Sequence, residues 1–381
     1  MSLKISIIIN KDNREIAPSE TFLSSHINNL PCEVIPLIGN PGIRCLDASS
    51  NTYVPSRKYF PLRWRWFQRK IGLSSIKEQD RLAVGAFLKK YKIDAVLAEY
   101  GPSAVSVLDA CDDASVPLIA HFHGWDAYSE YELNRNAENY RKLFKHAAAV
   151  IAVSQHMRNQ LLTLGSVPEK TFYNSCGAEI PSELKANPDQ VGKRFLMVGR
   201  LIEKKAPFVS ILAFAKVASS CQDARLDIVG DGPLRDACML LCESLRLSDK
   251  VVFHGALSHD LVLDLMSKAR CFIQHSVRAP NGDREGTPVG VLEAMGIGLP
   301  VVATRHGGIL DVIKSGKTGT LVDEYDLEGM AQAMKEYANN TDLAQQIGEN
   351  ARAEVTKKWT NARSIERLWM IIERTIKKSC D

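Results

Sequence analysis

The sequence predicts an α/β protein of two domains, each built on a mostly parallel sheet. Three observations carry this. Short apolar runs alternate with helix-period segments along the chain, as βα units do. The runs lack strict in–out alternation, as strands covered on both faces should. The chain has 381 residues, 45% hydrophobic and 24% charged, which favours two cores over one.

The elements follow in order. In the first half, strands are predicted at Lys4–Ile9, Ala95–Ala98, Leu118–His121 and Ala148–Val153. In the second half they are predicted at Arg194–Val198, Arg225–Val229, Val251–Phe253, Cys271–Gln274, Pro300–Thr304 and Gly319–Val322. The polar segment Pro181 to Lys193 contains Pro181 and Pro188 and precedes a fresh strand, which marks it as the linker. The domains are therefore placed at 1–182 and 183–360, with a helix over 361–381. After Leu327 the apolar positions Met330, Met334, Ile347, Val355, Leu368, Ile371 and Ile372 recur at helical spacing, and no repeat is visible.

Bulk properties exclude several classes. The 48 basic and 44 acidic residues leave a net charge of +4, too balanced to indicate nucleic acid. No apolar run approaches a membrane span. Lys4–Ile9 is followed by Asn10, Lys11 and Asp12, which suits a buried first strand rather than a signal peptide. Nine scattered cysteines read as reduced thiols of a cytosolic protein, with no cluster suited to a metal.

The chemistry concentrates at 285–293, Glu-Gly-Thr-Pro-Val-Gly-Val-Leu-Glu. Pro288 suits a first helical turn and Thr287 the capping position before it. Amides around Gly286 and Val289 would then attract an anion. Glu285 stands before that anion site and Glu293 behind it, a layout that fits a nucleotide-sugar. Arg200 and Lys205 follow the strand that ends at Gly199. They read either as solvated surface cations or as a grip on a diphosphate. Gly230 and the run Gly255-Ala256-Leu257 close two further strands, as plain turns or as room for a flat base against the backbone. His121 and His123 alternate at a strand end, but no third metal ligand has suitable spacing. His123 touching a sugar or a leaving group is the sharper reading, and a structural pair the plainer one. Residues 57–70 interleave Trp64, Trp66 and Phe67 with Arg63, Arg65 and Arg69. They suit a membrane surface or a packed helix with snorkelling cations equally.

These motifs together resemble the retaining family 4 glycosyltransferases of the GT-B fold. The Glu-x7-Glu element is Glu285 to Glu293, and the Gly-Arg-Leu-x-x-x-Lys element is Gly199 to Lys205. His275 through Ile309 is similar to the exopolysaccharide, colanic-acid-type branch, as is Pro18-Ser19-Glu20-Thr21-Phe22. The resemblance implies two Rossmann-like domains facing a central cleft, with the C-terminal helix crossing back to the first. It implies that Glu285 holds donor-sugar hydroxyls, Glu293 ribose hydroxyls, and Arg200 and Lys205 the diphosphate. His123 matches the family's His-Gly-x-Asp position near the donor sugar. Ser19, Glu20 and Tyr100 fall on the acceptor side. Ala206 departs from the usual glycine after the lysine, and the first strand lacks the usual Gly-Gly loop.

The expected activity is retaining transfer of a hexose from a UDP-sugar, UDP-glucose first, to a polyprenyl-linked or other growing glycan. It needs no metal and no cofactor. No nucleophile is evident, and the resemblance implies a front-face substitution assisted by the leaving phosphate. The expected site of action is cytoplasmic, and the membrane reading of 57–70 would place it at the inner face of the plasma membrane. Rival readings are a soluble acceptor, a nucleotide-sugar epimerase and a non-catalytic sugar- or lipid-binding subunit.

Overall fold

The structure, a computed structural model, describes residues 3–9, 20–39, 44–46, 53–54 and 76–380. Ser19, the loop after the first strand and the basic–aromatic patch at 57–70 lie outside the described residues. The chain divides into two compact units, residues 1–174 with 364–381, and residues 175–363.

The first unit carries an eight-stranded sheet among the described residues. Its strands are β1 (Lys4–Ile9), β2 (Glu33–Ile38), β3 (Arg44–Leu46), β4 (Tyr53–Val54), β5 (Ala95–Glu99), β6 (Leu118–Phe122), β7 (Ala149–Ala152) and β8 (Thr171–Tyr173). Their order is β4-β3-β2-β1-β5-β6-β7-β8. All pairs are parallel except β2–β3 and β3–β4. The sequence reading missed β2, β3, β4 and β8. In β2 the cause is Pro36, which sits opposite Ile7 within the ladder and which in a sequence argues against a central strand. The other three are two or three residues long, too short to show a period.

Ile5, Ile7 and Ile9 of β1 pack with Leu23 of helix Thr21–Asn29 and with Ile365, Leu368 and Ile372 of helix Asn361–Cys380. The last helix therefore belongs to the first unit by its apolar stripe. Each such buried side chain contributes roughly 1.5–3 kcal/mol.

The second unit is a six-stranded, all-parallel sheet. It comprises β9 (Arg194–Val198), β10 (Arg225–Val229), β11 (Val251–Gly255), β12 (Cys271–Gln274), β13 (Val301–Thr304) and β14 (Thr320–Val322), in the order β11-β10-β9-β12-β13-β14. Phe195 and Met197 enter one core with helices Pro207–Ala218 and Leu327–Asn339. Leu196 and Val198 enter another with helices His259–Ser267 and Val289–Gly296. Two cores on opposite faces explain why β9 reads as a continuous apolar run.

The division falls at Asn174/Ser175, ahead of the proline-bearing segment that the sequence marks as linker. The reason is backbone pairing. Ala178 donates to Trp359 O at 2.9 Å and accepts from Asn361 N at 2.9 Å, which stitches 175–180 to the second unit. Among the described residues, no helix is long and apolar enough to cross a membrane. Cys32, Cys111, Cys176, Cys221, Cys238, Cys242 and Cys271 are free thiols.

Candidate active site

In the second unit the strand ends are laced together by main-chain bonds. Gly199 N donates to Val229 O at 2.9 Å, and Gly230 N donates to Gly255 O at 2.7 Å. Gly230 has a φ of +128°, and a Cβ there would collide with the Gly199 carbonyl. The glycine therefore has a packing reason of its own. Gly255 differs: its φ is +68° and a Cβ would meet nothing within 4 Å. Open space lies over that backbone, Ala256 is exposed and Leu257 half-buried.

Consecutive lysines from the turn Glu203–Lys205 pin the loop before the acidic motif. Lys204, buried, reaches Asp283 at 3.1 Å and the Arg284 carbonyl at 3.2 Å. Lys205 Nζ lies 2.6 Å from Glu285 Oε2. The resemblance implies separate tasks for these two residues, diphosphate and hydroxyls; the fold makes them an ion pair. Gln274 Nε2 and Ser276 Oγ add bonds to the same oxygen at 3.3 and 3.4 Å. Burial pushes the Glu285 carboxyl up, but the Lys205 and Lys204 charges outweigh it and hold it below the usual carboxylate range.

The Glu285 backbone is fixed as well. Its N–H donates to His306 Nε2 at 3.2 Å, and His306 Nδ1 meets Glu324 Oε1 at 2.6 Å. These bonds define the tautomer, with the proton on Nδ1. Gly308 N donates to Glu285 O at 3.3 Å. Gly307 adopts φ +47° beneath that carbonyl, where a Cβ would collide with it. Arg200 is exposed, and no ion pair involves it among the described residues.

The acidic motif departs from expectation at its helix. The helix is Val289–Gly296 and Pro288 is the capping residue, with no side-chain cap. Thr287 Oγ1 instead accepts from Cys176 N at 3.0 Å, so Thr287 ties down 175–180 rather than capping. Gly286 and Pro288 are buried and Val289 half-buried. Glu293 is buried, and His259 Nε2 lies 3.0 Å from its Oε1. That bond raises the His259 pKa above its ordinary value.

The first unit gathers a second polar group. Glu99, at the end of β5, is fully buried. His26 Nδ1 lies 2.7 Å from its Oε1, and His123 Nε2 lies 2.6 Å from its Oε2. His121 Nδ1 is 3.1 Å from Oε2 but out of line for a hydrogen bond. The sequence showed no third partner for the two histidines; the sheet supplies Glu99 and helix Thr21–Asn29 supplies His26. One ligand atom each of His26, Glu99 and His121 lies within 4.8 Å of the others, a set able to hold a cation. As it stands the cluster is hydrogen-bonded around the carboxylate.

Burial pushes Glu99 up, but the neighbouring His26 and His121 and the imidazole hydrogen bonds outweigh it and hold it well below the carboxylate range. Burial drives His123 down to about 4, aided by His121 and opposed by Glu99. Phe22 stacks on the His123 ring at 4.2 Å. Tyr100 OH donates to Glu20 Oε1 at 2.7 Å. Tyr100 itself holds a φ of +74°, a strained conformation for a non-glycine residue. Asp126 accepts from the amides of Gly101, His123 and Gly124 at 3.0, 3.0 and 2.8 Å. Burial raises its pKa to about 6 against the pull of those amides. The readable signal for Glu99 was a charged residue closing an apolar strand.

A parallel-sheet doublet with these strand-end groups defines a glycosyltransferase of the GT-B fold. A family model for glycosyl transferases group 1 matches residues 182–354, and one for glycosyltransferase family 4 matches residues 48–179. The chain belongs to the family 4 type of glycosyltransferase that these two models describe in its two halves. Among relatives, WcaL of Escherichia coli K12, named for colanic acid biosynthesis, is 29% identical over 71% of this chain and 68% of its own length. The amylovoran biosynthesis glycosyltransferase AmsK of Erwinia amylovora is 28% identical over 67% of this chain and 63% of its own. Among solved structures, Anabaena Alr3699/HepE in complex with UDP aligns with a TM-score of 0.73 at 18% identity, covering 98% of this chain and 100% of that one. A Rickettsia africae glycosyltransferase aligns at 0.74 and 18% identity, covering 99% of both.

Proposed function

We propose that this glycosyltransferase moves a hexose from a UDP-sugar, UDP-glucose first, onto a growing lipid-linked glycan in exopolysaccharide synthesis. The observation that carries the reading is the Lys205–Glu285 pair at 2.6 Å, beside an exposed Arg200 without an ion partner among the described residues. The names of WcaL and AmsK support the pathway class. The UDP and UDP-glucose complexes of HepE support the donor.

The proposed chemistry follows from charge. Breaking the anomeric bond builds negative charge on the leaving diphosphate. Arg200 and Lys205 stabilise it, so no metal is required. Glu285, ionised and held by Gln274 and Ser276, orients sugar hydroxyls. Glu293 accepts from ribose hydroxyls, with His259 competing for its Oε1. The stereochemical course is retention by front-face substitution, in which a phosphate oxygen takes the acceptor proton. Glu20 and Tyr100, together with Ser19, serve the acceptor side, and His123 bonds a sugar hydroxyl.

The test is a thermal-shift and turnover screen of UDP-, GDP- and ADP-sugars, with and without EDTA. A stabilising UDP-hexose, turned over in EDTA with an α product, is expected. An inverted product, a trapped glycosyl-enzyme, or turnover lost in EDTA would each overturn the corresponding part.

A further inference from the structure

We propose that Glu99 is the positioning residue that sets the tautomer of His123, so that His123 acts as a neutral hydrogen-bond acceptor through Nδ1 and not as a general acid. The inference rests on the glycosyl-transfer reading only for the role of His123; the tautomer stands on geometry.

The argument has three steps. An ionised carboxylate can only accept hydrogen bonds. Glu99 is fully buried and its Oε2 lies 2.6 Å from His123 Nε2, so Nε2 carries the proton. A neutral imidazole has a single N–H, and a second proton, on Nδ1, would lie on a buried ring with no acceptor from a described residue. The lone pair therefore lies on Nδ1. No hydrogen bond from a described residue reaches Nδ1, whereas the His123 backbone N–H is taken by Asp126 at 3.0 Å.

The ring plane is set too. Phe22 stacks on His123 at 4.2 Å and 25°, and Tyr100 lies 5.0 Å from it. The other Glu99 oxygen, Oε1, is occupied by His26 Nδ1 at 2.7 Å. A carboxylate bonded at both ends cannot swing, so it transmits the position of helix Thr21–Asn29 to His123. His121 packs 4.2 Å from His123 and contributes bulk and desolvation without a bond of its own. The ligand this leaves room for is a hydroxyl donor, as a pyranose presents. A phosphate oxygen, which lacks a proton to give, would be rejected at Nδ1.

The test compares Glu99→Gln, Glu99→Asp and His123→Ala, using UDP-glucose hydrolysis and transfer as the assay. A glutamine amide can donate to Nε2, which moves the proton to Nδ1. Glu99→Gln is expected to lower kcat roughly 10- to 100-fold with the KM for UDP-glucose changed less than about twofold. Glu99→Asp, which keeps the charge, should recover part of the rate. Nitrogen-15 NMR of histidine-labelled wild-type protein should show His123 protonated at Nε2 from pH 8 to 6, and this readout survives if a variant fails to fold. A wild-type His123 protonated at Nδ1 would overturn the proposal, as would wild-type kcat in Glu99→Gln. One equivalent of zinc bound by the wild type and lost in Glu99→Gln would overturn it as well, since Glu99 would then be a metal ligand. A dead His123→Ala beside an active Glu99→Gln removes Glu99 alone. Failure of every sugar nucleotide to turn over removes the transfer reading, while the NMR result still decides the tautomer.

Discussion

Each unit buries a carboxylate among hydrogen-bonding partners, and the two are held by different kinds of partner. Glu285 faces the ammonium of Lys205 at 2.6 Å, a group with donors only and no acceptor. Glu99 faces His26 and His123 at 2.7 and 2.6 Å, imidazoles that each offer two distinct ring nitrogens, one able to donate and one to accept. Under the proposed function, the first arrangement sets an ion pair beside the donor diphosphate. The second holds a proton at a chosen atom. The difference also explains legibility. A lysine seven residues after the last residue of β9 and a glutamate opening a Gly-Thr-Pro turn belong to motifs with set spacings. The histidine network is drawn from a helix and two strands and has no spacing to recognise.

Removing the Glu285 charge tests the fixed-charge half most severely. Glu285→Gln leaves Lys205 partly buried without its counter-charge and removes the hydroxyl acceptor. Transfer should fall about 100-fold or more, with UDP binding retained within several-fold. Wild-type transfer rates in a progress-curve assay would remove this group from the donor site.

Next in size are the cations. Arg200→Ala and Lys205→Ala should each weaken UDP binding by about tenfold in calorimetry. A loss of only about fivefold or less is what an exposed surface pair would give. Lys205→Ala should also release Glu285 to protonate at a higher pH, since the lysine charge is what offsets burial there.

Acid should separate the buried imidazoles from the buried carboxylates by pH. Burial depresses His123 and His275 to about 4. In the unfolded chain they take up protons near 6.5, so the unfolded state binds more protons in that window. Stability should therefore fall as pH drops from about 6.5 to 4, by roughly 3 kcal/mol for one such imidazole, and that contribution then levels off. Glu99 and Glu285, held below the carboxylate range, keep their full contribution above about pH 4.5 and lose it on further acidification. Urea midpoints measured from pH 8 to 3 check the order. Unchanged midpoints between 7 and 5 would contradict neutral buried histidines.

The smallest effect concerns Ala206, where the sequence carries alanine at a position usually held by glycine. Its φ is +36° and ψ 54°, in the left-handed region that disfavours a Cβ. Ala206→Gly should relieve that strain and stabilise by no more than about 1 kcal/mol, offset by greater chain entropy. Thermal unfolding at fixed pH measures it.

Most strands were legible because both sheet faces are covered, which turns them into continuous apolar runs. β2 was not, because Pro36 argues against a strand while the fold places it opposite Ile7 in the ladder. In the candidate site the motifs named Lys205 and Glu285 separately, and the fold brings them together as an ion pair at 2.6 Å. Thr287 was misread as a helix cap because its local context is that of one. The bond it makes is to Cys176, 111 residues away.

The sequence by itself determined the two-sheet α/β class and the residues that carry fixed charge. Both are written locally, in hydrophobic period and in motifs whose spacing a turn enforces. Tertiary structure alone decided which charges meet. Lys205 neutralises Glu285 because the turn after β9 and the loop after β12 are neighbours in the sheet order. Glu99 acquires His26 and His123 because β5 pairs with β6 and helix Thr21–Asn29 covers the β1 face. Burial then sets the protonation states, and burial is a property of the folded sheet.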